Sequence, residues 1–145
     1  MNDIRGRADD SLTAEYAWNI GKALADWLPS DGEVIIVASP NANGTIAHAL
    51  REGVQLQGRD VARADQADRQ AVIAGIIERH AAGGAFVSHD DAGGLEVIEL
   101  FNAQGGTVTT DSGLSEVNQL IEAGNFMPAT EKGTLVPLAE QATER

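Results

Sequence analysis

The sequence contains no cysteine, which excludes disulfide bridges and thiolate metal sites as sources of stability. Aromatic residues make up only 4% of it, so any core must rest on Val, Ile, Leu and Ala. Basic residues are scarce as well. Ten Lys and Arg stand against 22 Asp and Glu, giving a formal net charge of −12. Nucleic acids and anionic membrane surfaces are gripped by Lys and Arg, so a surface this acidic excludes both as partners. It also repels phosphorylated sugars wherever no local basic pocket exists. No apolar run approaches the roughly 20 residues that a spanning helix needs, and residues 1–5 have no apolar signal core. A soluble cytoplasmic protein is the expectation, and the missing cysteine suits a reducing compartment.

What is present is enough for a core. Hydrophobic residues are 43% of 145, too many for a disordered chain and a fitting number for one domain over residues 1–145. Residues 12–28 read as an amphipathic helix, because Tyr16, Ile20, Leu24 and Trp27 recur at three- and four-residue steps. Ser11 or Thr13 can cap its first turn, and Pro29, Asp31 and Gly32 stop it. Residues 33–39 are a β-branched run without alternation, the pattern of a central strand buried on both faces. Residues 45–57 form a second helix, with Ile46, Leu50 and Val54 in line and Gly58 as its cap. A weak strand at 60–64 follows. A third helix spans 68–82, carries Val72, Ile73, Ile76 and Ile77, and ends at Gly83-Gly84. A strand begins at 85–87, a polar loop fills 88–94, and a strand runs over 95–101. A closing helix at 115–123 precedes a polar tail. Strands alternating with helices predict a three-layer α/β/α sandwich with a mixed, mostly parallel sheet of about four main strands.

The order of the motifs resembles one family. Asp3-Ile4-Arg5-Gly6 is followed by Leu12-Thr13-Ala14-Glu15-Tyr16-Ala17-Trp18-Asn19-Ile20-Gly21. That is similar to the D-I-R-G and L-T-x-E-x-A-x-x-I-G segments that open the first domain of the α-D-phosphohexomutases, the phosphomannomutase/phosphoglucomutase family. Gly83-Gly84-Ala85-Phe86-Val87 then leads to Ser88-His89, which resembles the family's phosphoserine loop T-A-S-H-N-P. Ile98-Glu99-Leu100-Phe101 is similar to its strand N-G-I-K-L-F, and Gly124-Asn125-Phe126 to the end of its first domain. The resemblance runs almost end to end. It implies a domain-I fold and, for the whole family, intramolecular phosphoryl transfer on hexose phosphates. In mutases of this kind three further domains bring a metal loop D-x-D-x-D, a sugar loop and a phosphate loop. No D-x-D-x-D occurs in these 145 residues, so no cofactor is expected, and magnesium only if a partner supplies the missing loop.

Residue by residue, the resemblance makes Ser88 and His89 a degenerate phosphoserine loop and Arg5 the substrate-side arginine. Each also has a plainer reading. Arg5 either faces a phosphoserine or pairs with a local carboxylate. Ser88 either matches the serine or matches the threonine, which would set Asp90 at the nucleophile position. Asp90 and Asp91 stand where Asn-Pro would be, so the turn reads equally as a solvated acidic bend. Glu99 replaces a lysine, a charge reversal where phosphate must be neutralised. Val37-Ala38-Ser39-Pro40 replaces a V-G-R-D type segment and loses another arginine. His89, Asp90 and Asp91 could bind a metal only if three adjacent loop residues converged. His80 falls in the last turn of a helix, where a cation suits the dipole. These readings lead to a stand-alone domain that is non-catalytic by itself and works as an interaction or regulatory module, as a homodimer or with a protein partner. The alternatives are one part of a split or truncated phosphohexomutase with Ser88 as phosphoserine, and a small module binding a hexose phosphate through Arg5.

Overall fold

The computed structural model describes residues 3–29, 32–109, 113–124, 126–127 and 129–138. Asp31 and Asn125, assigned above to a helix stop and to the closing motif, lie outside them, as does the tail from 139. The elements follow in the order β1 (Ile4–Gly6), α1 (Ala14–Trp27), β2 (Val34–Ala38), α2 (Gly44–Leu56), β3 (Val61–Asp65), α3 (Arg69–Arg79), β4 (Gly83–Asp90), β5 (Leu95–Phe101), α4 (Leu114–Ala123) and β6 (Leu135–Pro137). The strands form one sheet in the order β1-β5-β4-β2-β3-β6. β2 pairs in parallel with β3 and β4, and β3 with β6, whereas β5 runs antiparallel to both β4 and β1. The sheet is mixed and mostly parallel, as the alternation of elements predicts.

The unbroken apolar run of β2 has its explanation in two cores. Val34, Ile36 and Ala38 face α1, α2 and α4, while Ile35 and Val37 face α3. Successive strand residues point to opposite faces, so a strand with helices on both sides must be apolar at every position, and all five residues of β2 are buried. Of the two capping residues expected for α1, Thr13 takes the role and accepts from Tyr16 N at 3.2 Å, and α2 is capped by Asn43, which accepts from Thr45 N at 2.9 Å.

Four expectations need correction. The third helix ends at Arg79, because His80 adopts the left-handed conformation (φ 53°) and returns its N–H to Ile76 O. Gly83 and Gly84 therefore do not end a helix but open β4. A Cβ at Gly84 would stand 2.7 Å from Ile35 O and 2.8 Å from Val72 Cγ1, so the close approach of β2 and α3 demands glycine there. The loop expected over 88–94 is strand as far as Asp90, and only residues 91–94 turn. Finally, the sheet gains two short edge strands. β1 carries Arg5, and β6 lies within what reads as a polar tail.

Candidate functional site

The antiparallel hairpin of β4 and β5 brings the family-like segments together. Arg5 on β1 and Ser88 on β4 are both in register with Val97 of β5. Strand spacing sets their Cα atoms roughly 10 Å apart across the sheet. Alternation along β4 puts Phe86, Ser88 and Asp90 on one face, with Glu99 opposite Phe86. This is the face on which α3 lies, packed on β2 and β4. Arg5, at the sheet edge beyond it, keeps its side chain 48% exposed.

Arg5 is clamped by two carboxylates. Its Nε and Nη2 donate to the two oxygens of Asp3 at 3.0 and 3.2 Å, a fork on one edge of the guanidinium. Its Nη1 donates to Asp90 Oδ2 at 3.2 Å. The hydrogen bonds and charge of Asp3 first, and of Asp90 second, hold the guanidinium above its usual pKa. Asp90 does two things at once. Its Oδ1 accepts from Ala92 N at 3.1 Å and Gly93 N at 3.4 Å, closing the turn, while its backbone carbonyl accepts from Gly94 N.

Glu99, the reversed charge, has a partner that sequence spacing could not reveal. Arg69, the first residue of α3, donates from Nε to both Glu99 oxygens at 2.9 Å and from Nη2 to Thr107 Oγ1 at 2.8 Å. Its guanidinium also lies 5.1 Å from the Phe101 ring centroid. The Glu99 hydrogen bonds raise the Arg69 pKa. The cation lost from the strand is thus replaced from α3 and at once neutralised.

His89 stands on the opposite face. Its Nδ1 is 3.0 Å from Oε2 of the buried Glu96, and its Nε2 is 3.7 Å from Asp91. Its backbone carbonyl accepts from Asn41 Nδ2 at 2.9 Å, which ties the β2–α2 turn to the end of β4. The conceivable His89, Asp90 and Asp91 metal set does not converge, because Asp90 points to Arg5 on the other face. Among the described residues no group of three or more His, Asp and Glu could hold a metal ion. Glu96 and Arg69 were not foreseen, and neither belongs to a motif or periodicity that would single it out.

The same internal engagement extends to the other described cations. Arg7 pairs with Asp9, Arg51 and Arg63 share Asp65, Arg79 meets Glu33, and Lys132 lies 3.9 Å from Glu52. Arg59 donates to the carbonyls of Ala25, Leu28 and Gly32, and Lys22 sits 3.6 Å over the Trp18 ring. Two open cavities of about 490 Å³ flank the sheet. The one at the carboxyl ends of the parallel strands is lined by Ser39, Gln66, Asp68 and Phe86, with no cation. The other surrounds Arg59 and lies at the amino ends of β2 and β3, away from Ser88. Among the described residues no helix is long and apolar enough to cross a membrane.

Comparison with known proteins agrees with this geometry. The family described as phosphoglucomutase/phosphomannomutase, alpha/beta/alpha domain I, matches residues 1–127. A phosphomannomutase of Salmonella typhimurium is 29% identical over 134 residues, covering 89% of this chain and 28% of the relative. Phosphohexose mutases of Xanthomonas campestris are 31% identical over 130 residues, covering 83% and 27%. A solved phosphoglucomutase/phosphomannomutase family protein from Burkholderia thailandensis matches 99% of this chain and 33% of its own, with a TM-score of 0.81 at 19% identity. The chain therefore spans under a third of the length of these curated relatives. With the motif order, the mixed sheet and the Arg5–Ser88 row now joined by a match over most of its length, the chain belongs to the phosphoglucomutase/phosphomannomutase family, as its alpha/beta/alpha domain I.

Proposed function

We propose that this chain is a non-catalytic domain I, an interaction or regulatory module that does not transfer phosphoryl groups by itself. The observation that carries this reading is the engagement of Arg5 and Arg69 by Asp3, Asp90 and Glu99. Phosphoryl transfer is positioning plus stabilisation of negative charge by cations or a metal. On the face that bears Ser88, both described arginines are already bound to carboxylates. A phosphate on Ser88 would add charge beside Asp90, where the described cation, Arg5, is already held by two carboxylates. The relatives carry this domain as less than a third of their length. A second copy of this chain, or another protein in the cytoplasm, is the partner proposed for such a module.

The test is a coupled mutase assay on glucose and mannose phosphates with magnesium and a bisphosphorylated activator, together with mass spectrometry of Ser88. We expect no turnover and no phosphate on Ser88. Turnover that disappears in Ser88→Ala would overturn the proposal. The split-mutase reading keeps one observation in its favour, the shared register of Arg5 and Ser88 on Val97. Activity that appears only on mixing with separately produced later domains would establish that reading instead.

A further inference from the structure

We infer that Asp90 is a built-in anion that closes an otherwise competent phosphate site on Arg5. This rests on the non-catalytic reading and names the residue that holds the site shut. A guanidinium offers two edges, each able to make paired hydrogen bonds to an oxyanion. Asp3 takes one edge of Arg5 through Nε and Nη2. The other edge, Nη1 with the second hydrogen of Nη2, points to the hairpin turn, and a single oxygen occupies it, Oδ2 of Asp90. The Arg5 side chain is half-exposed, so an external phosphate could reach this edge if that oxygen were absent.

Asp90 is well made for the task, because its two oxygens do separate work. Oδ1 accepts from the amides of Ala92 and Gly93, the short side-chain turn that Asp, Asn and Ser all make. That contact pins the carboxylate to the end of β4. The remaining oxygen is thereby held against Arg5 without further ordering. The ligand class follows from the chemistry of the freed edge, a phosphate monoester or inorganic phosphate, whose tetrahedral oxygens match paired N–H donors. Of the two carboxylates on Arg5, only that of Asp90 occupies this edge, and it is the obstacle that can be removed without unmaking the turn.

Asp90→Asn separates the two functions. The amide oxygen can keep the turn, while the NH2 group replaces the oxygen that Arg5 uses. Asp90→Ser is a second probe that also keeps a turn acceptor. Inorganic phosphate is titrated against each protein at matched ionic strength in chloride, following by NMR the backbone amide resonances of residues 91–94 and Val97, which every variant retains. We expect Asp90→Asn and Asp90→Ser to bind phosphate about fivefold more tightly than the parent chain, the size of effect an exposed ion pair gives. Adding Arg5→Gln to Asp90→Asn should abolish the gain. Equal binding by the parent chain and both Asp90 variants would overturn the inference, and so would a gain that survives Arg5→Gln. Mutase turnover by the parent chain would instead defeat the proposed function, and this titration does not depend on it.

Discussion

The crossing of α1 and α2 sets a sharp test, because it turns on two glycines. A Cβ built on Gly21 meets the Leu50 carbonyl oxygen and lies 3.0 Å from Val54 N and 3.2 Å from Gly53 Cα. These are main-chain atoms, so no rotamer change can relieve the contact. Gly53 is the reciprocal case and faces the main chain of Trp18. In an unobstructed helix interior Gly→Ala stabilises by about 0.8–1 kcal/mol. Here the helices must part, and Ile20, Leu24, Leu50 and Val54, all fully buried, must part with them. Overpacking of a close core costs about 1–3 kcal/mol, and rigid main-chain obstacles put this case at the upper end. The net expectation for Gly21→Ala is a loss of about 2 kcal/mol, or a Tm about 4–8 °C lower for a chain of this size. Gly44, at the start of α2, is the control. Nothing lies within 4 Å of its Cβ position, so Gly44→Ala should be neutral or slightly stabilising. Urea unfolding followed by circular dichroism reads both, with the midpoint shifting at constant slope. A Gly21→Ala protein as stable as the parent would refute the reasoning about this crossing.

Other expectations follow from the ion pairs. Arg79 and Glu33 are each less than a fifth exposed and joined by two hydrogen bonds, and that contact raises the Arg79 pKa. Arg79→Met should cost about 2 kcal/mol in the same unfolding assay, because it leaves Glu33 without its charged donor. Glu99→Gln should cost less, under about 1 kcal/mol, since Arg69 is 45% exposed and water screens the pair. Glu99→Lys, which restores the residue of the family motif, should leave the chain inert in the coupled assay. Gly113 holds a φ of 137° with the Trp27 ring against its Cβ position. Gly113→Ala should lower stability by about 2 kcal/mol and loosen the Trp27 Nε1–Glu116 hydrogen bond that joins α1 to α4, a change visible in tryptophan fluorescence.

The long elements were legible because each writes its own burial into a local period. The Tyr16, Ile20 and Leu24 stripe gave α1, the unbroken run at 34–38 gave a central strand, and residues 95–101 matched β5 at both ends. β1 and β6 were not legible. Each has three residues, too few for a period, and exists as strand only because a neighbour offers hydrogen-bonding partners. The extension of β4 through Asp90 was hidden for a related reason. Ser88, His89 and Asp90 have the composition of a turn, and it is pairing with Val97, Glu96 and Leu95 that makes them strand.

The site divides in the same way. Sequence by itself determined the family, the alternation of elements and the losses within the phosphoserine-like segment, because residue identity and order along the chain carry those facts. It also placed a carboxylate at position 99 where a cation belongs. Only tertiary structure decided what became of the charges. Arg5 and Asp90 are 85 positions apart, and Arg69 and Glu99 are 30 apart. A pairing between such positions depends on which strands lie side by side and which face each residue occupies. Packing of both faces of the sheet fixes that choice, and no local pattern records it.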